Sequence, residues 1–315
     1  MSNYPLLSIV TPCYNEASNI EELYTRIKAA IAPLTQYQFE LIFIDNASED
    51  GTVEKLKQMA GYDPMLKIIV NTRNFGHIRS PYYGLLQSSG QATIYLASDL
   101  QDPPEKIPEF IRLWEEGHLL VMATKPVSAQ SKMMHRLRKG YYRFLDGISD
   151  ISLLADATGF GLYDKVVIEQ LRQIQDPYPY LRGLICELGY EIKTVEFTQP
   201  RRLHGVSKNN FYTLYDIAML GIVSHSKLPL RFASMCGFVL AGLSFLAAFV
   251  FLFYKLCHWD KVPLGIAPFE IVMMLLFGMM FIFIGILGEY IASIHTYVQR
   301  RPIVVEKERI NFHKA

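Results

Sequence analysis

The stretch "ATIYLASDLQDPPE" at residues 92–105 decides the fold expected for this chain. It opens as an apolar run typical of a buried β-strand and ends in a polar segment with a double proline. Three earlier apolar runs also end in polar residues, and a helical stretch follows each of them; they lie at 6–15, 39–46 and 66–72. Continuous apolar strands separated by helices are typical of a parallel sheet covered on both faces. The sequence therefore predicts an α/β domain with a doubly wound, mostly parallel sheet.

Polar residues stand at the end of each predicted strand. They are Asn15, Glu16, Asp45, Asn46, Arg73, Asn74, Asp99 and Gln101. In doubly wound sheets, ligands bind at the carboxyl ends of the strands, so this pattern predicts a binding site at one edge of the sheet. Structural alternatives stay open, with Glu16 as a solvated first-turn acid and Asp45 as a turn-forming residue.

Asp102 has a separate interpretation. It precedes Pro103, and Glu105 follows three residues later. An acid before a proline is typical of a helix N-cap with proline at the first helical position. The sequence predicts the cap, and metal ligation by Asp102 is the alternative.

Two long segments near the C-terminus, residues 234–254 and 271–288, contain no charged side chain. About 20 apolar residues cross a hydrocarbon core of roughly 30 Å. The segments therefore predict a two-span membrane hairpin, with spans at about 232–255 and 269–291; a pair of buried core helices is the alternative. Basic residues flank the hairpin on its outer sides at Lys227, Arg231, Arg300 and Arg301. This bias predicts that both ends of the hairpin face the cytoplasm.

Charge and cysteine content narrow the function classes. The net charge is +1 and no long basic run occurs, so nothing indicates a nucleic-acid partner. The four cysteines show no metal-binding spacing, which favours free thiols in a reducing compartment.

Five motifs occur in a fixed order along the chain. They are "TPCYNE" (11–16), "IDNASEDGT" (44–52), "RNFG" (73–76), "SDLQDPPE" (98–105) and "RRLHGVSK" (201–208). Together with the hairpin they resemble family 2 glycosyltransferases of the GT-A fold, in the branch of dolichol-phosphate mannose synthase and the bacterial polyprenyl-phosphate glucosyltransferases. The resemblance implies a Rossmann-like GT-A catalytic domain followed by two transmembrane helices. The implied organisation is a GT-A domain at 1–208, an amphipathic juxtamembrane segment at 209–230, the hairpin at 231–292 and a cytoplasmic tail at 293–315.

The resemblance also implies roles for the strand-end residues. Pro12, Tyr14, Glu16, Asp45 and Arg73 would bind the nucleotide. Asp99 and Gln101 would hold Mg²⁺ or Mn²⁺, and the resemblance implies that Asp99 is also a catalytic residue. The chain departs from the family pattern at Ala97, where the first of two acids is expected. We therefore expect metal binding that depends on the bound nucleotide.

Further residues are implied for the phosphates and the acceptor. Arg202 and Lys208 would contact phosphate oxygens, with a solvated charged loop as the alternative. Arg136 and Arg138, beside Lys139, would bind the acceptor phosphate. Asp156 would be catalytic by orienting the acceptor or the sugar, and a turn role is its alternative.

The implied function is inverting transfer of a sugar, with glucose from UDP-glucose preferred, to polyprenyl (undecaprenyl) phosphate. The implied location is the cytoplasmic face of the plasma membrane, in a multi-pass protein whose oligomeric state is open. Two alternatives remain: a hydroxyl-directed or processive family 2 glycosyltransferase, and a non-catalytic membrane protein that binds a nucleotide sugar.

Overall fold

The computed structural model describes residues 4–125, 157–198, 228–257, 266–299 and 301–312. These residues fall into two compact units. The first contains 4–125, 157–198 and 301–312, and the second contains 228–257 and 266–299. The last described residues thus belong with the first unit, although the second unit separates them from it in sequence.

The first unit is built on one sheet. Its strands in the described ranges are β1 (Leu6–Cys13), β2 (Gln38–Asp45), β3 (Leu66–Asn71), β4 (Ala92–Tyr95), β5 (Leu120–Thr124), β6 (Ala157–Asp164), β7 (Ile192–Glu196) and β8 (Glu306–Ile310). Their order is β7-β5-β6-β4-β1-β2-β3-β8. The four strands predicted from the sequence, β1 to β4, are parallel neighbours. β6 and β8 run antiparallel to their neighbours. The prediction of a mostly parallel sheet is therefore confirmed.

Helices cover both faces of this sheet. In the first unit they are α1 (Ile20–Ile31), α2 (Thr52–Tyr62), α3 (Gly76–Leu86), α4 (Ile107–Glu115), α5 (Lys165–Gln173) and α6 (Leu181–Glu187). Leu7 and Ile9 of β1 pack in one core with α1, α2 and α4, whereas Val10 faces Tyr83 of α3 on the other side. Because side chains alternate along a strand, a continuous apolar run requires cover on both faces, which the helices supply.

α3 approaches the sheet closely at Gly84. A Cβ atom on this residue would lie 2.7 Å from Cγ2 of Ile44, so only glycine allows this packing distance. The close packing fixes α3 over β1 and β2, and it places the first turn of α3 near the carboxyl ends of these strands.

The chain after the second unit adds a strand that the sequence did not predict. β8 pairs antiparallel with β3, and Asn311 then donates hydrogen bonds to the carbonyls of Ala60 (3.0 Å) and Leu66 (2.8 Å). The sequence "EKERI" of β8 is mostly charged, which is typical of an edge strand that must not pair with another molecule. A strand of this charged composition is not found by a search for apolar runs.

The second unit contains two long helices, α7 (Leu228–Cys257, 30 residues) and α8 (Ile266–Val298, 33 residues). They carry exposed large apolar side chains such as Phe238, Phe253 and Phe281. Among the residues described, one segment is long and apolar enough to cross a membrane by length and composition, Leu276–Val298. The apolar stretch found in α7 is shorter, Leu230–Leu240, so the first span remains a prediction.

Candidate active site

The carboxyl ends of β1 and β2 lie side by side, with Cys13 opposite Asp45 in the register. The Asp45 side chain is buried, and its Oδ1 accepts a hydrogen bond from the backbone N–H of Ser48 at 2.9 Å. Burial raises the pKa of Asp45, and the bonds from Ser48 partly oppose this shift. Asp45 therefore forms the turn after β2, which is the structural role considered for it from the sequence. It also lies at the edge of the sheet where the nucleotide was predicted to bind.

The loop after β1 is fastened to the loop after β2 by hydrogen bonds. The N–H of Asn15 donates to Ser48 Oγ at 2.8 Å, and the N–H of Glu16 donates to Thr52 Oγ1 at 3.0 Å. Asn15 adopts a positive φ of 56°, which asparagine tolerates better than most residues. The two fastened loops hold Tyr14 and Glu16, both half-buried, near Asp45. Pro12 lies near the end of β1. Four of the residues predicted to bind the nucleotide, Pro12, Tyr14, Glu16 and Asp45, thus lie at the same edge of the sheet.

Glu16 has a described partner within its own loop. Its Oε2 accepts a hydrogen bond from Nδ2 of Asn19 at 2.5 Å, at the start of α1. The side chain is therefore oriented by Asn19.

Arg73 follows the end of β3 and is exposed. Its guanidinium stacks over the ring of Phe75, 4.1 Å from the centroid, and donates to the carbonyl of Asn74 at 3.1 Å. Stacking of this kind limits the freedom of the side chain and leaves a planar set of donors for an anion.

Asn46 joins the end of β2 to the end of β3 and to the loop that leads into α3, a role that the sequence alone did not indicate. Its Nδ2 donates to Asn74 Oδ1 (2.8 Å) and to the carbonyl of Gly76 (3.2 Å). Its Oδ1 accepts from Nδ2 of Asn71 (3.1 Å) and from the N–H of Phe75 (2.9 Å). An amide satisfies these four bonds because it donates and accepts at once, which a carboxylate cannot do. Asn46 therefore positions the loop that carries Arg73.

We expect Asn46→Asp to lower the free energy of unfolding by about 2 kcal/mol, because a buried carboxylate would face Asn74 Oδ1 and the Gly76 carbonyl without a proton to donate. Thermal unfolding of the full chain in detergent measures the change. The matched control is Asn74→Asp, since the described bonds of Asn74 Oδ1 are all accepted ones. Equal losses in both variants would contradict this role of Asn46.

The loop from Ala97 to Asp102 carries the predicted metal ligands. Oδ1 of Asp99 accepts the N–H of Gln101 at 3.2 Å, and Leu100 between them has a positive φ of 60°. Leu100 is buried and anchors the loop. Asp99 and Gln101 are its neighbours on either side in the sequence.

The prediction that Asp102 caps a helix is wrong. Its Oδ2 instead accepts the N–H of Ala97 at 3.0 Å, five residues earlier, and so closes the loop that contains Asp99. The short 3₁₀ helix at Pro104–Lys106 begins without a side-chain cap. Pro104 would stand at the second helical position and has no N–H, which removes one of the two donors that a cap at Asp102 would use.

Burial raises the pKa of Asp102 to about 7, and the negative charge of Asp99 adds to the shift; the bond from Ala97 and the charge of Lys125 oppose it. The Asp99 carboxylate and the Gln101 amide oxygen are hard donors, the kind that Mg²⁺ and Mn²⁺ prefer. Within the described ranges, no group of three or more His, Cys, Asp or Glu residues is arranged to hold a metal ion. Asp99 and Gln101 fit a divalent cation by the chemistry of their oxygen donors.

Six residues singled out from the sequence lie outside the described residues: Arg136, Arg138, Lys139, Asp156, Arg202 and Lys208. The described strand β6 begins at Ala157 and pairs there with Thr124, at the end of β5.

Comparisons with known proteins place the chain in a family. The family described as glycosyl transferase family 2 matches residues 8–172. The chain is 33% identical over 306 residues to the uncharacterized glycosyltransferase YkcC of Bacillus subtilis (strain 168), covering 97% of this chain and 94% of that protein. It is 30% identical over 303 residues to the bactoprenol glucosyl transferase of Shigella phage SfII, covering 96% and 97% of the two chains. The chain therefore belongs to glycosyltransferase family 2, and its fold is of the GT-A type.

A solved structure also resembles the chain. It is glucosyl-3-phosphoglycerate synthase from Mycobacterium tuberculosis in complex with Mn²⁺, UDP and phosphoglyceric acid, with 16% identity, a TM-score of 0.49, and coverage of 70% of this chain and 76% of that one.

Proposed function

We propose that this glycosyltransferase moves glucose from UDP-glucose to polyprenyl (undecaprenyl) phosphate at the cytoplasmic face of the plasma membrane, with inversion at the anomeric carbon. The observation that carries the proposal is the alignment of the whole chain with bactoprenol glucosyl transferases. The proteins of Shigella phages SfII and SfV each align with 96% of the chain at 30% identity. The alignment includes the hairpin as well as the catalytic domain.

In this proposal the donor nucleotide binds at the fastened edge of β1 and β2. Pro12, Tyr14, Glu16 and Asp45 line the base and ribose pocket, and Arg73 contacts the nucleotide from the loop after β3. The hydrogen bonds between the two loops support this assignment, because they hold the pocket in shape before the ligand binds.

Asp99 and Gln101 would hold Mg²⁺ or Mn²⁺ together with oxygens of the donor diphosphate. When bound, the cation neutralises the charge that develops on the leaving diphosphate. Asp102 keeps the metal-binding loop closed by accepting the N–H of Ala97.

The acceptor phosphate determines what the protein residues must do. A phosphate monoester with a second pKa of ~6 is mostly dianionic at neutral pH, so it attacks the anomeric carbon without a strong general base. Positioning and electrostatic stabilisation then supply most of the rate. Arg202 and Lys208 would hold phosphate oxygens, Arg136 and Arg138 would hold the acceptor phosphate, and Asp156 would orient the acceptor or sugar.

Both long helices would cross the membrane as a hairpin and make the protein multi-pass. At 1.5 Å per residue, helices of this length reach about 45 Å, which is more than a hydrocarbon core requires. The strands before and after the hairpin belong to one sheet. Both ends of the hairpin would therefore lie on the same side of the membrane, which supports an even number of crossings.

Acceptor selection tests the proposal. The purified full chain in neutral detergent would receive tritiated UDP-glucose with undecaprenyl phosphate, undecaprenol or octyl glucoside. We expect label on undecaprenyl phosphate alone, and its loss with EDTA. Label on octyl glucoside would instead identify a hydroxyl-directed transferase. Donor binding without any transfer would identify the non-catalytic alternative, which Ala97 makes worth testing.

A further inference from the structure

Three arginines meet where the segment after α8 passes the first turn of α3. They are Arg73, Arg79 and Arg301, here called the arginine cluster. Arg73 and Arg79 both lie over the ring of the buried Phe75, with guanidinium carbons 4.1 and 5.6 Å from its centroid. Arg79 also donates from Nη2 to the carbonyl of Pro302 at 2.5 Å, next to Arg301.

The positive charges of the arginine cluster have no described carboxylate partner. Four other arginines of the first unit each form an ion pair: Arg26 with Glu105, Arg112 with Glu116, Arg172 with Glu169 and Arg309 with Glu306. No such pair joins a cluster arginine to an acid in the described part of the chain. Like charges held together without a counter-ion are unfavourable unless an anion binds between them.

The environment of Arg79 shows this repulsion. Its pKa is lowered, first by burial and then by the charges of Arg73 and Arg301, while Tyr178 opposes the shift. Its Nε is buried and has no hydrogen-bond acceptor among the described residues. A guanidinium suits a phosphate, whose oxygens accept paired hydrogen bonds from the planar fork.

The position of Arg301 in the chain restricts where the anion comes from. It follows Val298, the last residue of α8, by three residues, which span at most about 11 Å. α8 includes the segment Leu276–Val298 that is long and apolar enough to cross a membrane. Basic residues directly beyond a span lie at the level of the lipid headgroups, where phosphates are concentrated.

We propose that Arg79 and Arg301 of the arginine cluster bind the phosphate group of a membrane lipid. The lipid phosphate has two sources, the polyprenyl phosphate acceptor and an anionic bilayer lipid. The first source rests on the proposed function, and the second does not. In either case the cluster ties a lipid headgroup to the loop that carries Arg73, at the edge of the proposed donor pocket.

Lipid binding by the purified full chain tests this assignment. Microscale thermophoresis in neutral detergent would compare undecaprenyl phosphate with undecaprenol, and phosphatidylglycerol with phosphatidylcholine. We expect Arg301→Gln to weaken phosphate-lipid binding about fivefold, and Arg79→Gln with Arg301→Gln about 25-fold, since each juxtamembrane charge contributes a similar increment. Lys307→Gln is the matched control, because Lys307 is an exposed cation on β8. The affinity of Lys307→Gln for each phosphate lipid should stay within twofold of that of the parent protein.

The pattern of losses identifies the source. A loss limited to undecaprenyl phosphate assigns the site to the acceptor, and a loss for phosphatidylglycerol assigns it to the bilayer. Unchanged binding of both lipids in Arg301→Gln and in the double variant would overturn the proposal. Arg301→Gln is informative alone, since its exposed side chain has no hydrogen bond to the described residues. The assay needs no turnover, so absence of sugar transfer would count against the proposed function and leave this result intact.

Discussion

Asp99→Asn is expected to lower kcat for lipid glucosylation by about 10²–10³-fold, the usual effect of removing one group that stabilises transition-state charge. Asp99 is the carboxylate remaining in the predicted metal pattern, since Ala97 replaces the other. Asparagine keeps the shape and an oxygen that can accept the N–H of Gln101, so the loop should stay folded. The change therefore removes charge and little else.

Steady-state kinetics over a range of Mn²⁺ concentrations measure this effect. The variant should need more metal for half-maximal rate, because a neutral ligand binds a divalent cation more weakly. The control Glu116→Gln removes an exposed acid of an ion pair just after α4 and should leave kcat unchanged. Parent-like kcat and metal dependence in Asp99→Asn would show that Asp99 is not the ligand.

The largest expected loss of stability comes from Gly161→Ala. Gly161 lies in β6 between β4 and β5. A Cβ atom there would lie 2.2 Å from the carbonyl oxygen of Val121 and 3.0 Å from Cα of Met122. Both are backbone atoms of β5, and they cannot move away without breaking the strand pairing. We expect a loss of about 3 kcal/mol or more.

Gly61→Ala is the matched control for this change. Gly61 lies in helix α2, and a Cβ atom there would meet nothing within 4 Å. Alanine is favoured over glycine in a helix, so this variant should gain about 0.5–1 kcal/mol. Thermal unfolding of both variants in detergent should shift the Tm in opposite directions. A Tm for Gly161→Ala equal to that of the parent would contradict the described pairing of β5 with β6.

Apolar periodicity predicted the parallel centre of the sheet, because buried strands and their covering helices must be apolar in sequence. The same logic placed Asp45 and Asp99 at one edge. It could not predict β8, which pairs through its backbone and carries charged side chains. The pairing of β8 with β3 joins residues more than 200 positions apart, so a local sequence pattern cannot predict it.

Local sequence patterns also failed to predict hydrogen-bond partners where a side chain had more than one partner within reach. Asp102 matches a helix cap by its neighbours, yet it bonds to Ala97, because the buried loop offers an N–H that the prolines lack. The role of Asn46 depends on three segments that meet only after folding. The arginine cluster likewise combines Arg73 and Arg79 with Arg301, which follows α8.

The central claim is transfer of glucose to a lipid phosphate, and a donor panel tests it most directly. Tritiated UDP-glucose, UDP-N-acetylglucosamine and GDP-mannose would be incubated with the full chain, undecaprenyl phosphate and Mg²⁺ or Mn²⁺, followed by chloroform extraction and mass spectrometry. We predict chloroform-soluble label from UDP-glucose, with the mass of undecaprenyl phosphate plus one hexose. Label from another donor alone would contradict the assigned sugar, and no lipid-linked product from any donor would contradict the reaction itself.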